Sequence, residues 1–335
     1  MTSALRKSYP RLWSVEAGRA MVVTDLHGDW EAYQRYRDRF VDLHARGQVD
    51  WLILTGDLIH REDDGPDRSI DLVLDLIELQ AGYGQAIVYL CGNHEMPHIY
   101  GISLTKGDQL FTPNFEAALQ QSGRRADILA LFDSLPFYLR TPAGVAITHA
   151  GASPPLADPQ QATQLFNWSH QQLLIWADEV MAQEDLETLR RGYAKLTGAN
   201  YDALAKFYLA ISGPDDPRYD DLLRGFLATT HPHFDQLLWP ALFTRCEREY
   251  SRGDYGIFLA ALLQELSRDF YPQQVLVAGH ITVQGGYQIS AKRHLRLASA
   301  YHATPPTAGQ YLLFDTAQPV QKVEELLPGL GSVYK

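Results

Sequence analysis

The chain has 335 residues, 46% of them hydrophobic and 21% charged, enough apolar material to bury a sizeable core without help from disulfides. A formal net charge of −11 argues against binding to a nucleic-acid backbone, which needs a basic surface, and no apolar stretch is long enough to span a bilayer. Cys91 and Cys246 offer no disulfide framework, and Met1 to Arg19 carries basic residues without the apolar run of a secretion signal, so a reducing, cytoplasmic location is expected.

Ala20–Thr24 is the first continuous apolar run, suited to a strand buried on both faces, and it ends in Asp25-Leu26-His27-Gly28. Asp29 is placed to cap a helix carrying Tyr33, Tyr36, Phe40 and Leu43. The second run, Trp51–Thr55, ends in Gly56-Asp57. A turn at Asp63-Asp64-Gly65-Pro66 then leads to a helix that Ser69 is expected to cap, and two such strand–loop–helix units predict parallel pairing. The third run, Ala86–Cys91, ends in Gly92-Asn93-His94-Glu95, with Cys91 read as a small buried hydrophobe. Residues 115 to 137 read as helical up to Pro136, and the fourth run, Val145–Thr148, delivers His149.

From Pro159 to about Ala228 the pattern changes to helix-forming Gln, Leu, Ala and Glu with interspersed Tyr and Trp, including an apolar stripe of Trp168, Leu173, Trp176 and Val180. The fifth run, Val275–Ala278, ends in Gly279-His280. With 286–290, 294–299 and 310–314 it reads as a strand meander. The expected architecture is one catalytic domain over residues 1–335, a four-layer α/β/β/α sandwich of two mixed sheets flanked by helices, with a helical cap inserted at 156–236.

Each block of polar residues sits just past a strand end, where open α/β sheets place their sites. Asp25 and His27, one residue apart, can address one cation while Leu26 turns inward. A carboxylate with an imidazole suits Mn, Fe or Zn. Asp57 can bridge two ions roughly 3.5–4 Å apart, the spacing of two-metal hydrolysis. Asn93, His149 and His280 would complete the second ion's shell. Each piece alone is commonplace, and the signal is five blocks arriving in order. His94, beside Asn93 but facing the other way, is the natural general acid, and arginine should clamp the phosphate oxygens. Glu95 reads as a loop anchor, His98 as a neighbour of the site, and His231-Pro232-His233 as a solvated loop pair.

These residues resemble the calcineurin-like metallophosphoesterases, and specifically the PPP-type serine/threonine phosphatases. The resemblance rests on Asp25-Leu26-His27-Gly28, Gly56-Asp57-Leu58-Ile59-His60-Arg61, Gly92-Asn93-His94-Glu95, His149-Ala150-Gly151, Leu237-Leu238-Trp239, Arg252-Gly253, and Gly279-His280 through Leu297-Ala298-Ser299-Ala300. It implies Asp25, His27 and Asp57 on one divalent metal and Asp57, Asn93, His149 and His280 on a second, Mn most readily, with Fe, Zn or Mg possible. It also implies His94 as acid, Arg61 as one phosphate clamp, and Arg252 or Arg245 as the other. The implied reaction is hydrolysis of phosphomonoesters, on a phosphorylated protein, a peptide or a small phosphoester, by direct attack of metal-bound hydroxide. Two alternatives stay open: a hydrolase resembling symmetrical diadenosine tetraphosphatases, with Trp168, Trp176 or Tyr208 stacking a base, and a catalytically silent metal-binding module. Two features depart from the family. His60 stands where those enzymes carry an aspartate that orients the acid, a role open either to His60 itself, as a neutral hydrogen-bond acceptor, or to Asp63, Asp64 or Asp67, with Asp67-Arg68 able to replace both orienting acid and clamp. The long stretch between His149 and Trp239 predicts helices overhanging the site.

Overall fold

The computed structural model of the protein describes residues 4–106 and 109–334. Arg19–Val23, Trp51–Leu54 and Ile87–Tyr89 run parallel in a five-stranded sheet, which Tyr311–Asp315 and Leu330–Gly331 extend antiparallel on the Arg19–Val23 side. A seven-stranded sheet has the order Leu5–Tyr9, Leu12–Val15, Tyr138–Arg140, Val145–Thr148, Val275–Ala278, His294–Leu297, Tyr287–Ser290. Val145–Thr148, Val275–Ala278 and His294–Leu297 are its parallel centre.

The twofold period of a strand divides each sheet into two apolar faces. Val22, Ile53 and Val88 of the smaller sheet share one buried layer with Val145, Ile147, Val275, Val277 and Leu295 of the larger. Their neighbours Met21, Val23, Leu52 and Leu54 cluster instead with Tyr33, Tyr36 and Phe40 of the helix Trp30–Ala45 and Leu72 and Leu76 of the helix Ser69–Tyr83. Ala146 and Leu276 join Leu259, Leu262 and Leu266 of the helix Arg252–Ser267. Two mixed sheets face each other and are flanked by helices, and each fully buried aliphatic side chain in these layers contributes roughly 1.5–3 kcal/mol.

Several local expectations are corrected. Asp29 does cap its helix, accepting from Ala32 N at 3.0 Å. Ser69 does not cap the next one: it is the first helical residue, and its Oγ accepts from His60 N at 2.8 Å. The helix expected over 115–137 is two, Thr112–Ser122 and Arg125–Ser134, parted at Gly123 with φ 65°. The last strands form no meander: His294–Leu297 inserts between Val275–Ala278 and Tyr287–Ser290, and Tyr311–Asp315 crosses to the other sheet. The N-terminal hairpin has mostly polar, half-exposed residues in its first strand and no apolar alternation to reveal it.

The insertion supplies helices Pro159–Phe166, His170–Gln183, Leu186–Thr197, Tyr201–Leu209 and Asp221–Thr230. Pro159–Phe166 lies against Arg252–Ser267, Tyr201–Leu209 packs on Thr112–Ser122, and His170–Gln183 and Asp221–Thr230 pack on the short helix Met96–Tyr100. The Tyr100 hydroxyl is a fixed point of that contact, 2.8 Å from His170 Nδ1 and 3.2 Å from Trp168 Nε1. Among the described residues, no helix is long and apolar enough to cross a membrane.

Candidate metal centre

Every polar block of the sequence lies at the C-terminal end of a parallel strand, and the two sheets bring those ends together. The first loop is stitched to the second, with Leu26 N and His27 N donating to Asp57 O at 2.9 and 3.0 Å and Gly28 N to Leu58 O at 2.7 Å. The third is held by Glu95, whose buried carboxylate accepts from Asp57 N, Leu58 N and Gly92 N at 2.9–3.0 Å. Burial, followed by the charge of Asp57, raises the Glu95 pKa to about 7. A Cβ at Gly92 or Gly279 would collide with the carboxylates of Asp57 and Asp25 respectively. Asp25, His27, Asp57, His60 and His280 all have φ between 40° and 72°, five of the nine non-glycine residues with positive φ among those described. Backbone strain of this kind gathers where surrounding structure holds side chains to a task.

Besides a group of His27, Glu62 and His94, the described donors include two groups linked through Asp57. Asp25, His27 and His302 offer atoms within 4.8 Å of one another, as do Asp57, His149 and His280. Asp57 Oδ2 joins them, 3.9 Å from His27 Nε2 and 3.3 Å from His149 Nε2. Asn93 Oδ1 and His280 Nδ1 each lie 3.0 Å from His149 Nε2. His149 Nδ1 faces Thr55 O at 3.0 Å and His27 Nδ1 faces His60 O at 3.3 Å. A carbonyl only accepts, so each Nδ1 carries the proton and each Nε2 is free to ligate. Asp25 Oδ2, His27 Nε2 and His280 Nε2 are buried without a hydrogen-bond partner, and His302 Nδ1 lies 3.2 Å from Asp25 Oδ1. Such atoms, spread over two donor groups linked by Asp57, are costly in a protein alone, and they suit the coordination of divalent cations. Burial opposes charge on His149, yet Asp57 and Asp25 overcome it and raise its pKa to about 9. Burial and the neighbouring His302 hold His27 below its ordinary value, and burial and His149 do the same to His280.

A cavity of about 260 Å³ opens over these groups, lined by His27, Asp57, Asn93, His94, His280 and His302 together with Glu62, Leu104, Thr105, Phe111 and Arg245. Burial, then the surrounding histidines, hold His94 far below the usual imidazole range, and its Nε2 lies 3.7 Å from Glu62 Oε1. Arg245 is on the cavity wall. Arg252 opens the helix Arg252–Ser267, is exposed, and is not among the lining residues. Arg61 also stays off the wall: its guanidinium pairs with Asp63 and lies 3.5 Å from Asp29. The loop aspartates face elsewhere, Asp63 toward Arg61, Asp67 toward Ser69 and Arg61 N, while Arg68 pairs with Asp71. His60 is the residue beside His94, with their Nδ1 atoms 3.1 Å apart.

No residue of 156–236 lines this cavity among those described, contrary to an overhanging cap. Trp168 and Trp176 border a separate cleft of about 310 Å³ with His231 and His233, whereas Tyr208 packs against the insertion's own apolar cluster. His302 and Glu62 escape the sequence reading. A signal for His302 exists: it follows the parallel strand His294–Leu297, the sixth strand to deliver a residue here.

The chain matches the family model for calcineurin-like phosphoesterases over residues 18–215. It is 27% identical over 134 residues to a symmetrical bis(5'-nucleosyl)-tetraphosphatase of Nitrosococcus oceani, a match covering 39% of this chain and only 43% of that protein. Similar solved structures include a protein serine/threonine phosphatase from Saccharomyces cerevisiae, at 15% identity over 92% of this chain and 77% of that one with a TM-score of 0.47. A metallophosphoesterase from Sphaerobacter thermophilus is 13% identical over 90% and 85% of the two chains, with a TM-score of 0.32. The family match covers more than half of the chain and contains three of the five polar loops whole and a fourth at His149, so this protein belongs to the calcineurin-like phosphoesterases.

Proposed function

We propose that this chain is a dinuclear metal-dependent phosphomonoesterase acting on phosphoserine or phosphothreonine in proteins or peptides, with Mn²⁺ as its working ion in the cytoplasm. The observation that carries the reading is the set of unpartnered buried donors around Asp57, in one cavity with His94 and Arg245. Asp25, His27 and His302 would hold one ion with Asp57, and Asn93, His149 and His280 the other, again with Asp57. Bound there, two divalent ions supply charge neutralisation for the phosphoryl oxygens and the ionisation of water near neutral pH.

The remaining tasks fall to side chains. Arg245 anchors the phosphoryl oxygens from the wall, bidentately where geometry allows. His94 donates a proton from Nε2 to the departing alkoxide, which a serine or threonine leaving group requires. Glu62 beside that nitrogen favours the protonated ring. A cavity of about 260 Å³ accepts a phosphoryl group with its ester oxygen and leaves the rest of the substrate outside. No inserted helix borders its mouth among the described residues, which favours an extended peptide over a fully enclosed small molecule.

The test is to strip the protein of metal, reconstitute it with Mn²⁺, and assay p-nitrophenyl phosphate, a phosphothreonine peptide and diadenosine tetraphosphate in parallel. Asp57→Asn and His94→Ala serve as controls. Peptide turnover that vanishes in both controls supports the proposal. Cleavage confined to the dinucleotide moves the assignment to nucleotide hydrolysis, the activity named for the Nitrosococcus relative. Bound metal with no turnover on any substrate identifies a silent metal-binding module.

A further inference from the structure

His60 brings no negative charge to His94, yet it is not the end of the hydrogen-bonded path. Its ring is fully buried and both nitrogens are engaged. Nδ1 lies 3.1 Å from His94 Nδ1, and Nε2 lies 2.8 Å from His98 Nε2. His98 Nδ1 is in turn 2.8 Å from Glu116 Oε1. Glu116 Oε2 receives the Arg125 guanidinium, with Arg218 Nη1 3.7 Å away. Phe111 stacks on His60 at 5.3 Å, and Phe115 lies 5.4 Å from His60 and 4.3 Å from His98. The path therefore runs inside an apolar sleeve from the cavity to a pair of arginines near the surface.

A hydrogen bond between two ring nitrogens needs one proton between them, so the tautomers along this path are not independent. For neutral rings only two arrangements satisfy every contact, and they have opposite polarity. Glu116 selects between them. Burial pushes its pKa up, but His98 and Arg125 prevail and hold it below the usual carboxylate value. A carboxylate accepts and does not donate. His98 must then carry its proton on Nδ1, His60 on Nε2 and His94 on Nδ1. In the neutral ring the one bare nitrogen left is His94 Nε2, at the cavity wall, so that atom takes up the proton later given to the departing alkoxide while Nδ1–H stays bonded to His60. We propose that Glu116, acting through His98 and His60, sets the tautomer and orientation of His94, a task that a carboxylate in direct contact performs in other histidine-dependent hydrolases. This rests on the reading of His94 as the proton donor. Glu116, His98 and His60 are positioning residues, and Glu116 and His98 lie outside the cavity lining.

Glu116→Gln preserves the side-chain shape and tests the mechanism directly. Arg125 then selects the amide oxygen, the amide NH₂ turns to His98 Nδ1, and every tautomer along the path reverses. Long-range ¹H–¹⁵N NMR on histidine-labelled protein loaded with diamagnetic Zn²⁺ reads those tautomers. The expected wild-type pattern is Nδ1–H on His98, Nε2–H on His60 and Nδ1–H on His94, reversed in the variant. In kinetics, Glu116→Gln should slow phenyl phosphate, whose leaving group needs a proton, by about 10–100-fold, and 2,4-dinitrophenyl phosphate far less. Wild-type His60 protonated on Nδ1, or an equal loss on both substrates in a folded variant, overturns the proposal. Should Glu116→Gln not fold, the wild-type spectrum still decides it. His94→Ala separates the two readings: without leaving-group dependence there, His94 is not the acid, while the tautomer pattern reports on Glu116 regardless.

Discussion

Asp57 serves both donor groups through one oxygen, while its Oδ1 accepts from His94 N at 2.9 Å. Asp57→Asn keeps the shape and removes the charge. The expected result is loss of at least one equivalent of bound metal and a fall in turnover of more than about 100-fold, read by elemental analysis and by p-nitrophenyl phosphate assay. Full metal content with unchanged turnover would move the bridging role elsewhere. His149 yields a prediction in pH. Its folded pKa, raised to about 9 against an ordinary 6.5, gives a stabilisation fully present below the ordinary value and lost as pH rises through 9. Glu95, raised to about 7 from an ordinary 4.5, acts in the same direction but at lower pH, its contribution being lost by about pH 7 and so lying below the His149 interval. The melting temperature of chelated protein should therefore fall between about pH 7 and about pH 9.5. Saturating divalent metal takes the place of the His149 proton and should flatten that slope, because ligation needs the neutral ring. A chelated protein whose melting temperature rises across the interval contradicts the assignment.

At the level of elements, three loops from the smaller sheet act as one unit, the first joined to the second by backbone hydrogen bonds and the second to the third by Glu95. Removing its carboxylate in Glu95→Ala leaves Asp57 N, Leu58 N and Gly92 N buried without an acceptor, and each such donor costs about 1–3 kcal/mol. Chemical denaturation should show a loss of at least about 3 kcal/mol, and less than about 1 kcal/mol would mean the loops hold without it. These loops are legible in the sequence because a strand buried on both faces is a continuous apolar run, and whatever polar residue follows it is exposed at the sheet end. His302 is harder to see, since four residues, Ala298, Ser299, Ala300 and Tyr301, separate it from its strand and blur the boundary. The path to Glu116 is invisible in sequence. It joins a loop histidine to a helix residue through pairings that only the packing of Thr112–Ser122 creates. The same limit explains the strand order of the C-terminal half, where local pattern finds the strands but pairing across the sheet decides their neighbours.

For the whole molecule, the distance between His149 and Trp239 fixes how much chain is inserted and says nothing about which way it leans. Of the inserted helices, His170–Gln183, Tyr201–Leu209 and Asp221–Thr230 lean against Met96–Tyr100 and Thr112–Ser122, away from the cavity lining, and part of the insertion closes on its own cluster of Tyr201, Ala205, Leu209, Ile211, Leu222 and Leu223. The close seat of Gly225 on Gly101, where an added Cβ would come within 3.0 Å of the carbonyl oxygen, fixes that lean with backbone, a contact that side-chain repacking does not relax. The cleft beside Trp176 is consequently separate from the metal groups, and the two should be energetically independent for a substrate too small to reach both. Trp176→Ala should leave kcat/KM for p-nitrophenyl phosphate within about 2-fold of wild type, since the substitution opens an already half-exposed wall and moves no ligand. The same variant assayed on a longer phosphopeptide then reports whether the insertion touches substrate beyond the phosphoryl group. A loss of more than about 10-fold on p-nitrophenyl phosphate itself, in a variant with normal metal content, would mean that the inserted helices reach the site in solution.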